Sequence, residues 1–203
     1  MMKKLITILC TTVLTLSVTA QAQFGIKAGF NSSAIGSSDT DWNEFMSNKI
    51  GVQIGGVATI PFGDVVQLRT GAIYNQKGAT LELSNANDGL NWNDVILAVD
   101  YLEVPADFAF MLGDGGFALS AGPYFAFLLS GKRKIDGESD EDMEDVNTMD
   151  IGLNLGASYT IAENMIIDAR YGMGLTNVAD TDETDDIWLN GCLSVSFAYM
   201  FGG

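Results

Sequence analysis

The chain has 203 residues, is 47% hydrophobic and carries a formal net charge of −16, and it contains no histidine. Without histidine, His-containing zinc sites, His-based triads and imidazole general bases are excluded, so any metal or acid–base chemistry would rest on carboxylates. So acidic a chain does not bind nucleic acid, because phosphate contacts need clustered Lys and Arg and the one such cluster, Lys132-Arg133-Lys134, is followed at once by acids.

The first residues read as an export signal. Met1-Met2-Lys3-Lys4 is a short basic start, Leu5 to Val18 is apolar with interspersed Thr, and Ala20-Gln21-Ala22 offers the small residues a signal peptidase reads. Cleavage after Ala22 divides the chain into a signal peptide, 1–22, and a mature domain, 23–203. It also removes Lys3 and Lys4, leaving the mature part more acidic still. The apolar stretch is shorter than the roughly 20 residues a membrane-spanning helix needs. Cys10 is lost with the signal, so Cys192 is the only mature cysteine and an internal disulfide is excluded.

From Phe24 onward, segments of roughly 9 to 13 residues alternate apolar with small or polar residues, the period of a strand. Phe24 to Asn31 and Ile50 to Ile60 open the series. In the third segment Val66, Leu68, Ala72 and Tyr74 oppose Gln67, Arg69, Gly71 and Asn75; Val99 to Met111 is the fourth. Phe117, Leu119, Ala121, Phe125, Phe127 and Leu129 then oppose Ser120, Gly122 and Ser130. Ile151, Leu153, Leu155, Ala157, Tyr159 and Ile161 oppose Gly152, Asn154, Gly156, Ser158 and Thr160. Ile167, Ala169, Tyr171, Met173 and Leu175 oppose Asp168, Arg170, Gly172 and Gly174. The last segment is the clearest: Leu189, Gly191, Leu193, Val195, Phe197, Tyr199 and Phe201 against Asn190, Cys192, Ser194, Ser196 and Ala198.

About eight strands result, the smallest even number used by bacterial outer-membrane barrels. Their connections alternate in length. Pro61-Phe62-Gly63-Asp64, Gly113-Asp114-Gly115-Gly116 and Ala162-Glu163-Asn164 are tight turns, whereas Ser32 to Lys49, Gly78 to Val95, Gly131 to Asp150 and Thr176 to Asp186 are long and polar. Phe24, Phe62, Phe108, Phe110, Phe117, Tyr159, Tyr199 and Phe201 fall at the short-turn ends and Phe30, Tyr74 and Phe127 near the other, as two interfacial girdles. The expected fold is an all-β, eight-stranded antiparallel up-and-down transmembrane barrel, monomeric and placed in a bacterial outer membrane. A lipocalin-like barrel would turn its apolar face inward. A helical span over Val104 to Leu129 is interrupted by Asp107 and the Gly113–Gly116 break.

The order of several short motifs adds to this. Phe24-Gly25-Ile26-Lys27-Ala28-Gly29 opens the first strand and Tyr74-Asn75-Gln76-Lys77-Gly78 closes the third. Tyr101-Leu102-Glu103-Val104-Pro105 lies in the fourth, Ala121-Gly122-Pro123-Tyr124 in the fifth and Asp168-Ala169-Arg170-Tyr171-Gly172 in the seventh. In these the mature chain resembles the PorT-like outer-membrane β-barrel family of Bacteroidetes. The resemblance implies a fold and a location. It carries no catalytic residue and no ligand, since family members are mostly described as outer-membrane or porin-family proteins, some connected with secretion and gliding.

Three constellations have a functional reading beside a plain one. The acids Asp136, Glu138, Asp140 and Asp142, with Asp182 and Asp185, are candidates for weak divalent-ion binding. They lack the spacing and closing Glu of an EF-hand and otherwise read as solvated loops. Glu103 and Asp107 have the look of a glycosidase acid–base pair, but charges lining a barrel are more often structural partners. Trp42, Trp92 and Trp188 at loop edges suit sugar stacking or interfacial anchoring, with anchoring preferred. In this register Arg69, Glu103, Asp107, Asp168 and Arg170 all point into the lumen, where both guanidiniums should be held by the carboxylates in one network that fills the barrel.

The function expected is structural or surface-interacting, through acidic outer loops that meet outer-membrane lipid, lipopolysaccharide or an envelope or surface protein. The alternative is a narrow conduit or small-ligand barrel. No cofactor and no enzymatic activity are expected.

Overall fold

Alternation of apolar and small residues leaves a strand with one face for lipid and one for a narrow interior, and closing the sheet on itself satisfies every backbone edge. The computed structural model describes residues 22–38, 45–82, 94–135, 139–143, 146–162, 164–179 and 186–201. Among these, the strands are β1 (Gln23–Ser37), β2 (Met46–Phe62), β3 (Val66–Leu81), β4 (Val95–Met111), β5 (Phe117–Ile135), the two-residue β6 (Glu141–Asp142), β7 (Met149–Ala162), β8 (Met165–Gly174) and β9 (Trp188–Phe201). All pairings are antiparallel. The order β4-β3-β2-β1-β9-β8-β7-β5 is closed by β4 pairing with β5, giving a barrel of eight long strands, with β6 hydrogen-bonded to the outer end of β5.

Register places the apolar face outward around the whole wall. Phe30 is 71% exposed and Leu155 62%, values that only a lipid-facing position explains for such side chains. Phe24, Phe62, Phe108, Phe110, Phe117, Tyr159, Tyr199 and Phe201 are likewise exposed at the short-turn end. Phe30 and Phe127 are exposed towards the other end.

The strands run further outward than the alternation suggests. β3 continues to Leu81, β5 to Ile135, and β7 begins at Met149, so parts of the expected long loops are wall. A strand of roughly 10 residues crosses the hydrocarbon, and the 19 residues of β5 therefore project beyond it. The connections at this end also fold inward. Val146 bridges Ala179, Asn147 N–H donates to Val178 O at 2.8 Å, and Val178 packs with Ile35 and Ala79 against Trp188, Met46 and Val146. Trp188 thus helps cap the lumen, which corrects its expected place at the membrane interface: its position in β9 has the inward parity of Asn190 and Cys192. Trp42 and Trp92 lie outside the described residues.

Candidate functional site

The interior of an eight-stranded barrel is wide enough only for side chains, so every inward charge must find a partner there or in water. The five expected lumen residues do face inward. Glu103, Asp107, Asp168 and Arg170 are buried and Arg69 is half-buried. Two lysines and an aspartate join them: Lys27 on β1, Lys77 on β3 and Asp150 on β7, all buried.

The charges form two connected tiers. In the outer tier Lys77 Nζ lies 3.1 Å from Glu103 Oε2 and 3.5 Å from Asp150 Oδ2. It also sits over the Tyr124 ring, 4.2 Å from the centroid, and 5.5 Å from that of Tyr101. Asp150 collects further donors: Tyr124 Oη and Asn190 Nδ2 donate to Oδ2, each at 3.0 Å, and Thr176 Oγ1 donates to Oδ1 at 3.1 Å. Asn75 Nδ2 donates to Glu103 Oε2 at 2.8 Å.

The inner tier is centred on Arg170. Its Nη1 donates to Asp107 Oδ2 at 2.9 Å and lies 3.9 Å from Glu103 Oε1, which ties the two tiers together, while its Nε is 3.8 Å from Asp168 Oδ1. Lys27 Nζ meets the same Asp168 oxygen at 2.7 Å, and Asn154 Nδ2 donates to Asp107 Oδ1 at 3.1 Å. Glu103 and Asp107 are therefore each committed to a buried cation, and each takes an asparagine amide as well.

Arg69 departs from the expected network. It is paired in register with Asp107, but that carboxylate is already taken by Arg170 and Asn154, and Arg69 Nη1 instead donates to Ser158 Oγ at 2.6 Å. It makes no ion pair with a described residue, and its buried Nε has no hydrogen-bond partner among them. Arg69 lines a vestibule of about 460 Å³ at the short-turn end, with Gln23, Gln67 and Asp114, and a smaller cavity of about 50 Å³ behind it. Beyond these, the space around Lys77, Glu103 and Arg170 shrinks to about 10 Å³. Behind the vestibule the lumen thus narrows to spaces that take at most a few waters.

Two of the candidate divalent-ion residues are among the described ones. Asp140 and Asp142 are exposed at the loop end, Asp140 Oδ2 lying 3.2 Å from Lys134 Nζ, while Asp136, Glu138, Asp182 and Asp185 lie outside the described residues. Among the described residues no three carboxylate or thiol side chains converge as a metal site.

Lys27, Lys77 and Asp150 were legible in principle, because each has the inward parity of its strand. Lys77 continues the series Arg69, Asn75, and Asp150 precedes Gly152 and Asn154 on the same face.

Comparison with known proteins agrees with this architecture. Residues 18–180 match the family described as outer membrane protein beta-barrel domain. The neisserial surface protein A superposes with a TM-score of 0.53 at 18% identity, covering 89% of this chain and 99% of that one. Ail, the attachment invasion locus protein of Yersinia pestis, solved in complex with the heparin analogue sucrose octasulfate, gives 0.50 at 14% identity, with the same coverage of 89% and 99%. At such identities these likenesses speak for the fold. No curated protein matches the chain in sequence.

Proposed function

Since the chain belongs to the outer membrane protein β-barrel domain family and resides in the bacterial outer membrane, we propose that it is a plugged, non-enzymatic barrel whose work is structural or surface-interacting, carried by its acidic outer loops. The observation that supports this most is the filled lumen: Lys77 is held between Glu103 and Asp150 beneath an apolar cap formed by Ile35, Ala79, Val178 and Trp188. Glu103 and Asp107, the pair with an acid–base look, are both neutralised by cations in that packing. Within the family, the ordered motifs from Phe24-Gly25 to Tyr171-Gly172 favour the PorT-like branch of Bacteroidetes. On this reading residues 1–22 are a signal peptide, and 23–203 fold as a monomeric barrel that meets outer-membrane lipid and lipopolysaccharide or an envelope or surface protein.

Photo-crosslinking in intact cells from Asp140 and Asp186, two acids at the loop end, tests the proposal. Discrete crosslinked species specific to these positions support a surface role. Their absence, with solute flux through purified barrels, favours a narrow conduit or small-ligand barrel, the second reading, which the Arg69 vestibule recommends.

A further inference from the structure

The mature chain is poor in cations, and their distribution is uneven. Lys27, Arg69, Lys77 and Arg170 are in the lumen, and the other four, Lys49, Lys132, Arg133 and Lys134, are towards the outer end of the barrel, three of them in one cleft. Lys49, Lys132 and Lys134 line a single cleft of about 490 Å³ with Gln76, Ser130 and the acids Asp100 and Asp140.

Register shows which way the β4 and β5 members of the cleft face, whereas Lys49 pairs with the buried Ser33 of β1. On β4 and β5, Asp100 pairs with Ser130, Ala98 with Lys132 and Ile96 with Lys134, and the even-numbered residues of β4 are those that turn Leu102, Phe108 and Phe110 to lipid. Tyr74, Leu102 and Phe127 make one row across β3, β4 and β5 at the upper girdle. At about 3.4 Å per residue along strands tilted by about 45°, Lys132 and Lys134 stand roughly 10 to 14 Å above that row, outside the hydrocarbon.

The cleft's cations are only partly spent. Lys134 is paired with Asp140, both half in solvent, and Asp100 accepts a hydrogen bond from Tyr74 Oη at 2.6 Å. Lys49 and Lys132 make no ion pair with a described residue. Asp140 lines the cleft beside Lys134 and Asp142 lies opposite Lys132 in the β5–β6 register, while Ile96 and Ala98 on β4 add apolar lining level with the two lysines. The outward register of Lys132 and Lys134 turns them to the leaflet, from which a lipid phosphate is presented laterally together with apolar surface.

We propose that this cleft binds the phosphate-bearing headgroup of an outer-leaflet glycolipid, Lys49, Lys132 and Lys134 supplying the charged donors and Ile96 and Ala98 the apolar contact. This deepens the surface-interaction reading and rests on it, by naming the lipid-side partner and its contact residues.

The test is native mass spectrometry of the detergent-solubilised full-length mature barrel, titrated with diphosphoryl lipid A, with dephosphorylated lipid A and with inorganic phosphate. Diphosphoryl lipid A is expected to bind, with a loss of roughly tenfold or more in affinity on dephosphorylation and in the triple variant Lys49→Gln, Lys132→Gln, Lys134→Gln. Inorganic phosphate at millimolar concentration is expected not to displace it. Equal binding of the dephosphorylated lipid overturns the proposal, as does equal binding by the triple variant. Displacement by inorganic phosphate also overturns it, in favour of a site for a soluble anion. Heat-modifiable migration on gels confirms that the variant is folded, and Lys132→Gln alone, expected to weaken binding in the same direction, replaces it otherwise. Crosslinking from the loops is read separately, so failure here with discrete crosslinks there rejects the lipid site and leaves the surface role standing.

Discussion

Lys77 and Tyr124 are joined twice: the ammonium lies over the ring at 4.2 Å, and the ring's own hydroxyl donates to Asp150, the carboxylate that also faces the ammonium. A cation, an aromatic face and an acid from β3, β5 and β7 thus close into one unit across the lumen. Removing the cation while keeping its shape leaves Asp150 and Glu103 buried beside each other's charge. Lys77→Met is therefore expected to destabilise the barrel by about 3 kcal/mol or more, read as a lowered urea midpoint in detergent or lipid. Arg133→Met, at the exposed pair with Glu141, is the control and should cost no more than about 1 kcal/mol.

The two lumen arginines should behave differently. Arg170 contacts Asp107 and approaches Glu103 and Asp168, so Arg170→Ala strands buried carboxylates and should cost about 3 kcal/mol or more. Arg69 offers one described hydrogen bond, to a serine hydroxyl, at the edge of an open vestibule, and Arg69→Ala should cost about 1 kcal/mol. Equal losses in parallel equilibrium unfolding would mean that Arg69 belongs to the ion network after all.

Gly152 makes room for the aromatic partner. A Cβ built there would lie 2.5 Å from two ring carbons of Tyr124 and would also meet Met173 O. Gly152→Val is expected to displace the ring from Lys77 and destabilise the barrel by about 1 to 3 kcal/mol. The tyrosine fluorescence or near-ultraviolet dichroism should change at temperatures where the variant is still folded; an unaltered spectrum and midpoint would contradict the packing.

The wall itself was readable because lipid and lumen impose opposite demands on neighbouring residues. Leu193, Val195 and Phe197 against Ser194 and Ser196 admit one pairing parity only, and β9 follows it. That legibility ends where the lipid does. Lys77 stands just outward of the Tyr74 row, where wall gives way to loop composition, and Asp150, which pairs with Ala126 just inside the Phe127 row, closes the acidic stretch Gly131 to Asp150, whose composition is that of a loop. Trp188 was misplaced for the same reason, since a tryptophan near a loop has the composition of a membrane anchor and only the inward fold of Val146 and Val178 makes it a cap. Arg69 shows a different limit: parity shows which way a side chain points, but which carboxylate it wins depends on the competing donors Arg170 and Asn154.

Membrane integration follows from the exposed belt. The mature protein should stay with membranes through high-salt and alkaline washes and migrate differently on gels before and after boiling, because the closed hydrogen-bonded wall unfolds only on heating. Release by a salt wash alone would contradict it.

The filled lumen is tested most directly by electrical recording from the purified mature barrel in planar bilayers. With Lys77, Glu103, Asp150 and Arg170 interlocked beneath the Val178 and Trp188 cap, wild type should show no steady open channel. A large, stable single-channel conductance would contradict this, and would make the protein a conduit.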